Sequence, residues 1–315
     1  MTLETPRIIT ARLSRGDRIY RVVTTMAAAT VLVTIVLITV FLVLTALPAF
    51  QRAGWSFFTT TAWNPDETSG KFGIAAMMYG TFVTALIAMA FTVPISIATA
   101  VFINEYAPRA TRAGLTTSIE VMAAIPSIIF AGWGLHVLIP FLDPIEQWAV
   151  DHLGGVFFVF EAREVGSSYF NVGLVISLMA IPITTSIVRA VLDQAPRHEC
   201  EGALALGATR WGMVRTVILP FGRTGIVGAS MLGLGRALGE TMAATLIFSF
   251  AFEIKPRIFE NGGVTIASGI AIYFKESRDA GLSALMAAGA TLFLVTFVIN
   301  LLASRVVQRA ERAAR

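Results

Sequence analysis

Residues 22–47 read VVTTMAAATVLVTIVLITVFLVLTAL, an apolar run without a single charged side chain. About 20 such residues in a helix cross the roughly 30 Å hydrocarbon core of a bilayer. Arginines precede the run, as basic residues precede the core of a secretory signal peptide, but a signal core has only about 7–15 residues. The run therefore predicts an uncleaved first membrane helix.

The composition extends this interpretation to the rest of the chain. Of its 315 residues, 56% are hydrophobic and 14% are charged, whereas soluble domains carry about a quarter charged residues. Only helices and closed barrels satisfy every backbone polar group in lipid, and the continuous apolar runs favour helices. We expect an all-α integral membrane protein with six transmembrane helices, near residues 22–47, 74–102, 115–140, 171–190, 224–252 and 281–303.

The basic residues between these segments predict the orientation. Of 24 Lys and Arg residues, 16 fall in the N-terminal stretch, the second and fourth loops and the C-terminal tail. Seven fall in the other three loops, and Arg236 lies inside a segment. The positive-inside rule then places both termini in the cytoplasm of a bacterial plasma (inner) membrane. We expect basic tails at 1–21 and 305–315, a six-span permease domain at 22–304, and an acidic external loop at about 141–170.

The fourth loop, about 193–222, contains ECEGALALGATRWGMVRTVILP at residues 199–220. Pro196 suits the start of a helix, and Gly207 before a threonine suits a break followed by a second short helix, which Pro220 would stop. Apolar residues flanked by charges would be exposed on such a two-helix lobe and would need a protein partner.

This loop resembles the EAA loop of the permeases of type I ABC importers, the MetI-like family. Glu201, Ala203, Gly207, Leu219 and Pro220 match that pattern in register, Gly202 replaces an alanine, and Val217 replaces an isoleucine. The resemblance implies that the lobe couples to a cytoplasmic ATPase subunit. An ordinary amphipathic linker is the alternative.

The chain contains no Gly-x-x-x-x-Gly-Lys-Ser/Thr phosphate loop, so we expect no nucleotide site and no enzyme activity of its own. ATP and Mg²⁺ would be used by a partner subunit. One cysteine excludes an internal disulfide, and three histidines without metal-ligand spacing suggest no metal. The rival functions are an ion-coupled transporter or channel, which would not need the lobe, and a membrane enzyme.

The fifth segment contains two charges, Arg236 and Glu240, in the sequence GLGRALGETM at residues 233–242. A charge at the bilayer centre costs about 2.5–3.5 kcal/mol on insertion scales. Residues four apart share a helix face and can pair. The pair is either a structural lock or a translocation site in which the Arg236 fork contacts an anion and Glu240 positions it. Gly235 and Gly239 would allow another helix to approach closely.

Glu120 is a further translocation candidate, near the cytoplasmic end of the third segment. It would pair with Arg236 or Arg112, or reach water at the membrane interface.

The fifth segment also resembles the hallmark of the PstC family of phosphate-importer permeases. Further matches between about 55 and 303 include Trp63-Asn64-Pro65, Phe72-Gly73, Tyr79-Gly80-Thr81, Val93-Pro94-Ile95-Ser96, Glu105-Tyr106-Ala107-Pro108, Ile125-Pro126-Ser127 and Gly132-Trp133-Gly134. The resemblance implies pairing with the sister permease PstA, two copies of the ATPase PstB below, and the phosphate-binding protein PstS outside. It implies membrane lipid but no nucleic acid as a partner. Importers of sulfate or molybdate with the same fold are the alternative.

Cys200, the only thiol, tests the predicted orientation. A membrane-impermeant thiol reagent should leave it unlabelled in intact cells and label it in inside-out vesicles, measured by the mass shift of the purified chain. Strong labelling from outside the cell would reverse the topology.

Overall fold

A computed structural model describes residues 14–67, 70–155 and 157–314, with side chains described as far as Arg305. The predicted N-terminal stretch lies mostly outside the described residues, and the first helix already begins at Arg15. The helices are α1 (Arg15–Ala53), α2 (Ser56–Thr59), α3 (Ala75–Val101), α4 (Arg109–Ala124), α5 (Ser127–Trp133), α6 (Ile139–Leu153), α7 (Tyr169–Leu192), α8 (Arg197–Ala205), α9 (Arg210–Met213), α10 (Leu219–Gly239), α11 (Met242–Ile247), α12 (Ile266–Tyr273) and α13 (Asp279–Ala314).

Three π turns lengthen or join these helices, and each is followed two residues later by a proline. They cover Phe102–Tyr106, Gly134–Leu138 and Val214–Ile218, and the prolines are Pro108, Pro140 and Pro220. The prediction that Pro220 stops a helix is wrong, because the last of these turns joins α9 to α10. Proline has no N–H to donate and clashes with the preceding turn of a regular helix. The wider i→i+5 hydrogen bonds of the π turn accommodate the proline without ending the helix.

Six helices within the described residues are long and apolar enough to cross a membrane, which confirms the six-span fold. They are Arg15–Ala53, Ala75–Tyr106, Ser127–Leu153, Tyr169–Leu192, Arg210–Gly239 and Asp279–Arg305.

Two predicted segments are interrupted. The one at 115–140 is divided between α4 and α5, because Pro126 lacks an N–H and confines Ile125 to extended backbone, at φ −65° and ψ 129°. The helix then continues to Leu153, so that half of the predicted external loop at 141–170 is helical. The segment at 224–252 is interrupted after Gly239.

The centre of the bundle is the contact between α3 and α7. Two hydroxyls of α3 donate to carbonyls of α7, from Thr92 to Ser177 at 3.5 Å and from Ser96 to Ile181 at 3.2 Å. Helix α10 packs against both α7 and α3, and glycines allow its approach to α7, since a Cβ on Gly233 would lie 2.8 Å from the Thr184 hydroxyl. In lipid, close packing of small residues and such hydrogen bonds hold helices together.

The predicted first external loop contains a hairpin-like pairing on either side of residues 68–69. Trp63 pairs with Phe72 in an antiparallel bridge and stacks on Phe252, with ring centroids 6.1 Å apart. Arg52 at the end of α1 donates to the carbonyl of Pro65 at 2.8 Å, and Asp66 accepts from the backbone N–H of Gly281 at 2.9 Å. The hairpin therefore ties the end of α1 to the start of α13.

Gly80 is a test of this packing, because a Cβ there would overlap the backbone carbonyl of Val264. We expect Gly80→Ala to lower the free energy of unfolding by about 1–3 kcal/mol, the usual cost of overpacking. Gly132→Ala is the control, since no atom lies within 4 Å of its added Cβ. Thermal unfolding in detergent would measure both, and equal stability of the two variants would contradict the packing.

Candidate functional site

The fifth apolar segment breaks inside the bundle, next to the charged residues that the sequence singled out. Helix α10 ends at Gly239, Glu240 is extended at φ −68° and ψ 121°, and α11 begins at Met242. The Glu240 carboxylate turns forward, where Oε1 accepts a hydrogen bond from the backbone N–H of Ala243 at 3.3 Å. A carboxylate at a helix start satisfies a free N–H and matches the positive end of the helix dipole.

The predicted pairing of Arg236 with Glu240 is therefore absent. In the described part of the chain no carboxylate oxygen lies within 4.0 Å of the Arg236 guanidinium. The four-residue spacing predicts contact only along an unbroken helix, and the chain leaves the helix after Gly239. Arg236 is half-buried, and its Nε is enclosed without a hydrogen-bond acceptor.

Gly235 and Gly239 also differ from their predicted use. A Cβ on either would meet no atom within 4 Å, so no helix in the described part of the chain approaches them closely. The glycines of α10 that do contact α7 include Gly222 and Gly233, whose added Cβ atoms would meet Leu192 and Thr184.

Sequence reasoning missed three buried threonine hydroxyls, two on α7 and one on α11. Thr184 and Thr185 on α7 are 1% and 0% exposed, and their hydroxyls have no hydrogen-bond partner in the described structure. The Thr245 hydroxyl on α11 is also buried and also has no hydrogen-bond partner in the described structure. Unpaired buried polar groups are costly, and they concentrate where a protein handles a polar ligand or water. The signal was a threonine pair that begins two residues after Pro182 in a mostly apolar segment.

Glu120 lies apart from Arg236. It is exposed on α4, a helix without a buried residue, and no cationic nitrogen in the described structure is within 4.0 Å of it. Arg112, its other predicted partner, donates instead to the carbonyl of Asn104 at 2.5 Å. The interface alternative is the one compatible with this exposure.

The fourth loop forms the first short helix and the turn that its sequence predicts, but the second helix is the start of the long helix that continues into α10. Helix α8 follows Pro196, and the chain turns at Gly207, whose φ is +88°. The Thr209 side chain then caps α9 by accepting from the backbone N–H of Gly212 at 3.1 Å. Leu206 is 91% exposed and Trp211 is 56% exposed, so the lobe presents the apolar surface that its sequence predicts.

Hydrogen bonds connect the lobe to the bundle. Arg210 donates to the carbonyl of Glu105 at 3.3 Å, and the Asn104 amide donates to the carbonyl of Arg189 at 3.0 Å. The pKa of the Cys200 thiol is raised, mainly because the thiol is partly buried and secondly because the negative charge of Glu105 is near it. The lobe is thus linked to the π turn at Phe102–Tyr106, and that turn is linked to the end of α7.

Comparison with known proteins places this architecture. The family described as "Binding-protein-dependent transport system inner membrane component" matches residues 92–315. The phosphate transport system permease protein PstC 2 of Mycobacterium tuberculosis is 39% identical over 292 residues, covering 91% of this chain and 90% of that protein. PstC of Xylella fastidiosa is 39% identical over 305 residues, covering 96% and 93%.

Among solved structures, a chain of a bacterial ABC transporter for import of the polysaccharide alginate matches with a TM-score of 0.59 at 19% identity. The match covers 93% of this chain and 99% of that one. This likeness shows a shared fold.

Gly207 tests the turn of the lobe. Its positive φ strains any residue with a Cβ, by roughly 1–2 kcal/mol in the left-handed region, and Asn tolerates that region best. Gly207→Val should speed hydrogen exchange at the amides of Gly207 and Ala208, which bond to carbonyls of α8, while Gly207→Asn should change it less. Gly202→Ala within α8 is the control, because its added Cβ meets no atom within 4 Å. Unchanged exchange in Gly207→Val would exclude a strained turn.

Proposed function

The chain belongs to the family of binding-protein-dependent transport system inner membrane components, in its PstC branch, and we propose that it is a permease subunit of an ATP-driven importer of inorganic phosphate. The observation that carries this proposal is the identity of 39% to PstC proteins over at least 91% of the chain. It would form half of the translocation path in a bacterial plasma membrane, with both termini in the cytoplasm.

We place the phosphate path at the break between α10 and α11. Arg236 supports this placement, because a guanidinium with no carboxylate partner keeps its charge and its planar fork for an oxyanion. Glu240 would shape the break by capping α11, and the hydroxyls of Thr184 and Thr185 would supply neutral hydrogen bonds. Glu120, exposed on α4, remains a candidate for the cytoplasmic end of the route.

The cytoplasmic lobe would couple this path to ATP. The exposed apolar side chains beside its turn would fit a cleft on an ATPase subunit. The lobe residues at the positions of the EAA pattern are Glu201, Gly202, Ala203, Gly207, Leu219 and Pro220. ATP and Mg²⁺ would be bound by a PstB dimer, because this chain has no phosphate loop.

Helix α10 leaves a face open for the sister permease PstA. Added Cβ atoms on Gly228, Gly235 and Gly239 meet nothing within 4 Å, and Leu232 between them is 62% exposed. Positions that recur every three or four residues share a helix face, and small residues allow close approach in lipid. PstS would dock on the external loops.

Reconstitution in lipid vesicles tests the whole proposal. The lone chain should neither hydrolyse ATP nor take up labelled phosphate, whereas the chain with PstA, PstB and PstS should do both. Phosphate uptake by the lone chain would contradict an ATP-driven importer. Uptake of sulfate rather than phosphate by the complete complex would leave the importer but change its substrate.

Arg236 is the sharpest test of the path. We expect Arg236→Ala to lower phosphate uptake at least roughly tenfold in the assembled complex, since each lost charge-assisted hydrogen bond is worth about 1.5–3 kcal/mol. Arg236→Lys should restore little, because lysine keeps the charge without the fork. Arg223→Ala, an exposed arginine on the same helix, is the control and should transport normally. Near-normal uptake by Arg236→Ala would remove Arg236 from the path.

A further inference from the structure

Glu146 is a buried acid in a segment whose sequence suggests a solvated loop. It was expected among the exposed charges of the external loop at 141–170, but it lies on α6 and is only 2% exposed. Its Oε2 accepts a hydrogen bond from the side-chain amide of Asn171 on α7, at 3.3 Å. Asn171 is itself fully buried, so this contact lies inside the α6–α7 junction.

No positive side chain compensates this acid. Within the described residues no Lys, Arg or His nitrogen lies within 4.0 Å of Glu146. The charged group that acts on it is Asp143, one turn earlier on α6, and from α7 it faces the neutral Asn171. A carboxylate here would be desolvated and repelled by a second carboxylate, which is the most costly arrangement for a buried charge.

The oxygen atoms around Glu146 that have no hydrogen-bond partner indicate how the acid is neutralised. Glu146 Oε1, Asp143 Oδ1 and Asn171 Oδ1 all lack hydrogen-bond partners and have almost no accessible surface. A metal ion would need several oxygen ligands arranged around a space of its own. These enclosed oxygens leave no space even for water, whereas a proton needs none.

We propose that Glu146 is a proton-binding site, in which the neutral acid seals the external end of α6 against α7. The proton sits on Glu146 Oε1 while Oε2 keeps its bond from Asn171. The second N–H of Asn171 donates to the carbonyl of Gly166 at 2.6 Å, in the turn that starts α7. Protonated Glu146 thus fixes α6 to the beginning of the central helix.

The sign of the pH dependence follows from this arrangement. Loss of the proton would leave a desolvated carboxylate beside Asp143 in the folded chain, whereas in the unfolded chain water solvates the same carboxylate. In the window where only the folded chain holds the proton, the unfolding equilibrium constant should rise about tenfold per pH unit. The junction is therefore tightest at low external pH and loosens as the pH rises.

Infrared spectroscopy of the full chain in lipid nanodiscs detects the proton directly. We expect a carbonyl stretch of a protonated carboxyl group that disappears as the pH is raised and is missing in Glu146→Gln. Asp151→Asn is the control, because it makes the same change at an exposed position of the same helix and should keep the band. A band unchanged in Glu146→Gln would overturn the proposal.

Stability measurements provide a second readout. The wild-type chain should lose stability as the pH rises, while Glu146→Gln, which imitates the neutral acid, should lose less. If Glu146→Gln does not fold, Asp143→Asn serves instead, and removal of the repulsion should shift loss of the infrared band to lower pH. Stabilisation by Na⁺ or Ca²⁺ that depends on Glu146 would overturn the proton in favour of a metal ion. Neither readout depends on phosphate uptake, so each can fail without the importer proposal failing.

Discussion

Backbone polar groups inside a membrane have no water to bind, and this constraint governs where the chain departs from regular helix. Non-helical backbone at membrane depth is tolerated only where protein encloses it or where it lines a hydrated cavity. The interruption after Gly239 follows this rule, because α11 packs against α5 and α7 and Glu240 binds a freed N–H. Two of the π turns, at Gly134–Leu138 and Val214–Ile218, follow it too, because the helix continues past the proline after each of them.

The sequence predicted the number of spans and the lobe well, since both depend on local signals. Continuous apolar runs require helices in lipid, and the glycine, threonine and proline of the fourth loop define turns and caps. The break after Gly239 was not predictable in this way, because apolar residues continue on both sides of it. The burial of Glu146 also escaped, since an acid between helices looks like a solvated one until its neighbours are known. Pro126 is a sequence signal for the division of the third segment, but the continuous hydropathy around it favoured the prediction of one uninterrupted helix.

The interpretation of Arg236 changed for the same reason. The four-residue spacing predicts that Arg236 pairs with Glu240. The helix ends at Gly239, before Glu240, and the two side chains do not pair. What remains is an arginine whose enclosed Nε has no acceptor, together with three unpaired threonine hydroxyls on α7 and α11, which is a more polar interior than the sequence suggests. The proposed path therefore lies where regular helix stops.

The helix from Arg210 to Gly239 joins the lobe to Arg236 as one helix of 30 residues, about 45 Å long. Its π turn at Val214–Ile218 winds five residues more loosely than an α-helix does. Rewinding that turn as α-helix would rotate everything beyond it by roughly a quarter turn about the helix axis. A change of hydrogen-bond register at this turn would therefore change the direction in which the Arg236 guanidinium points, without bending the helix.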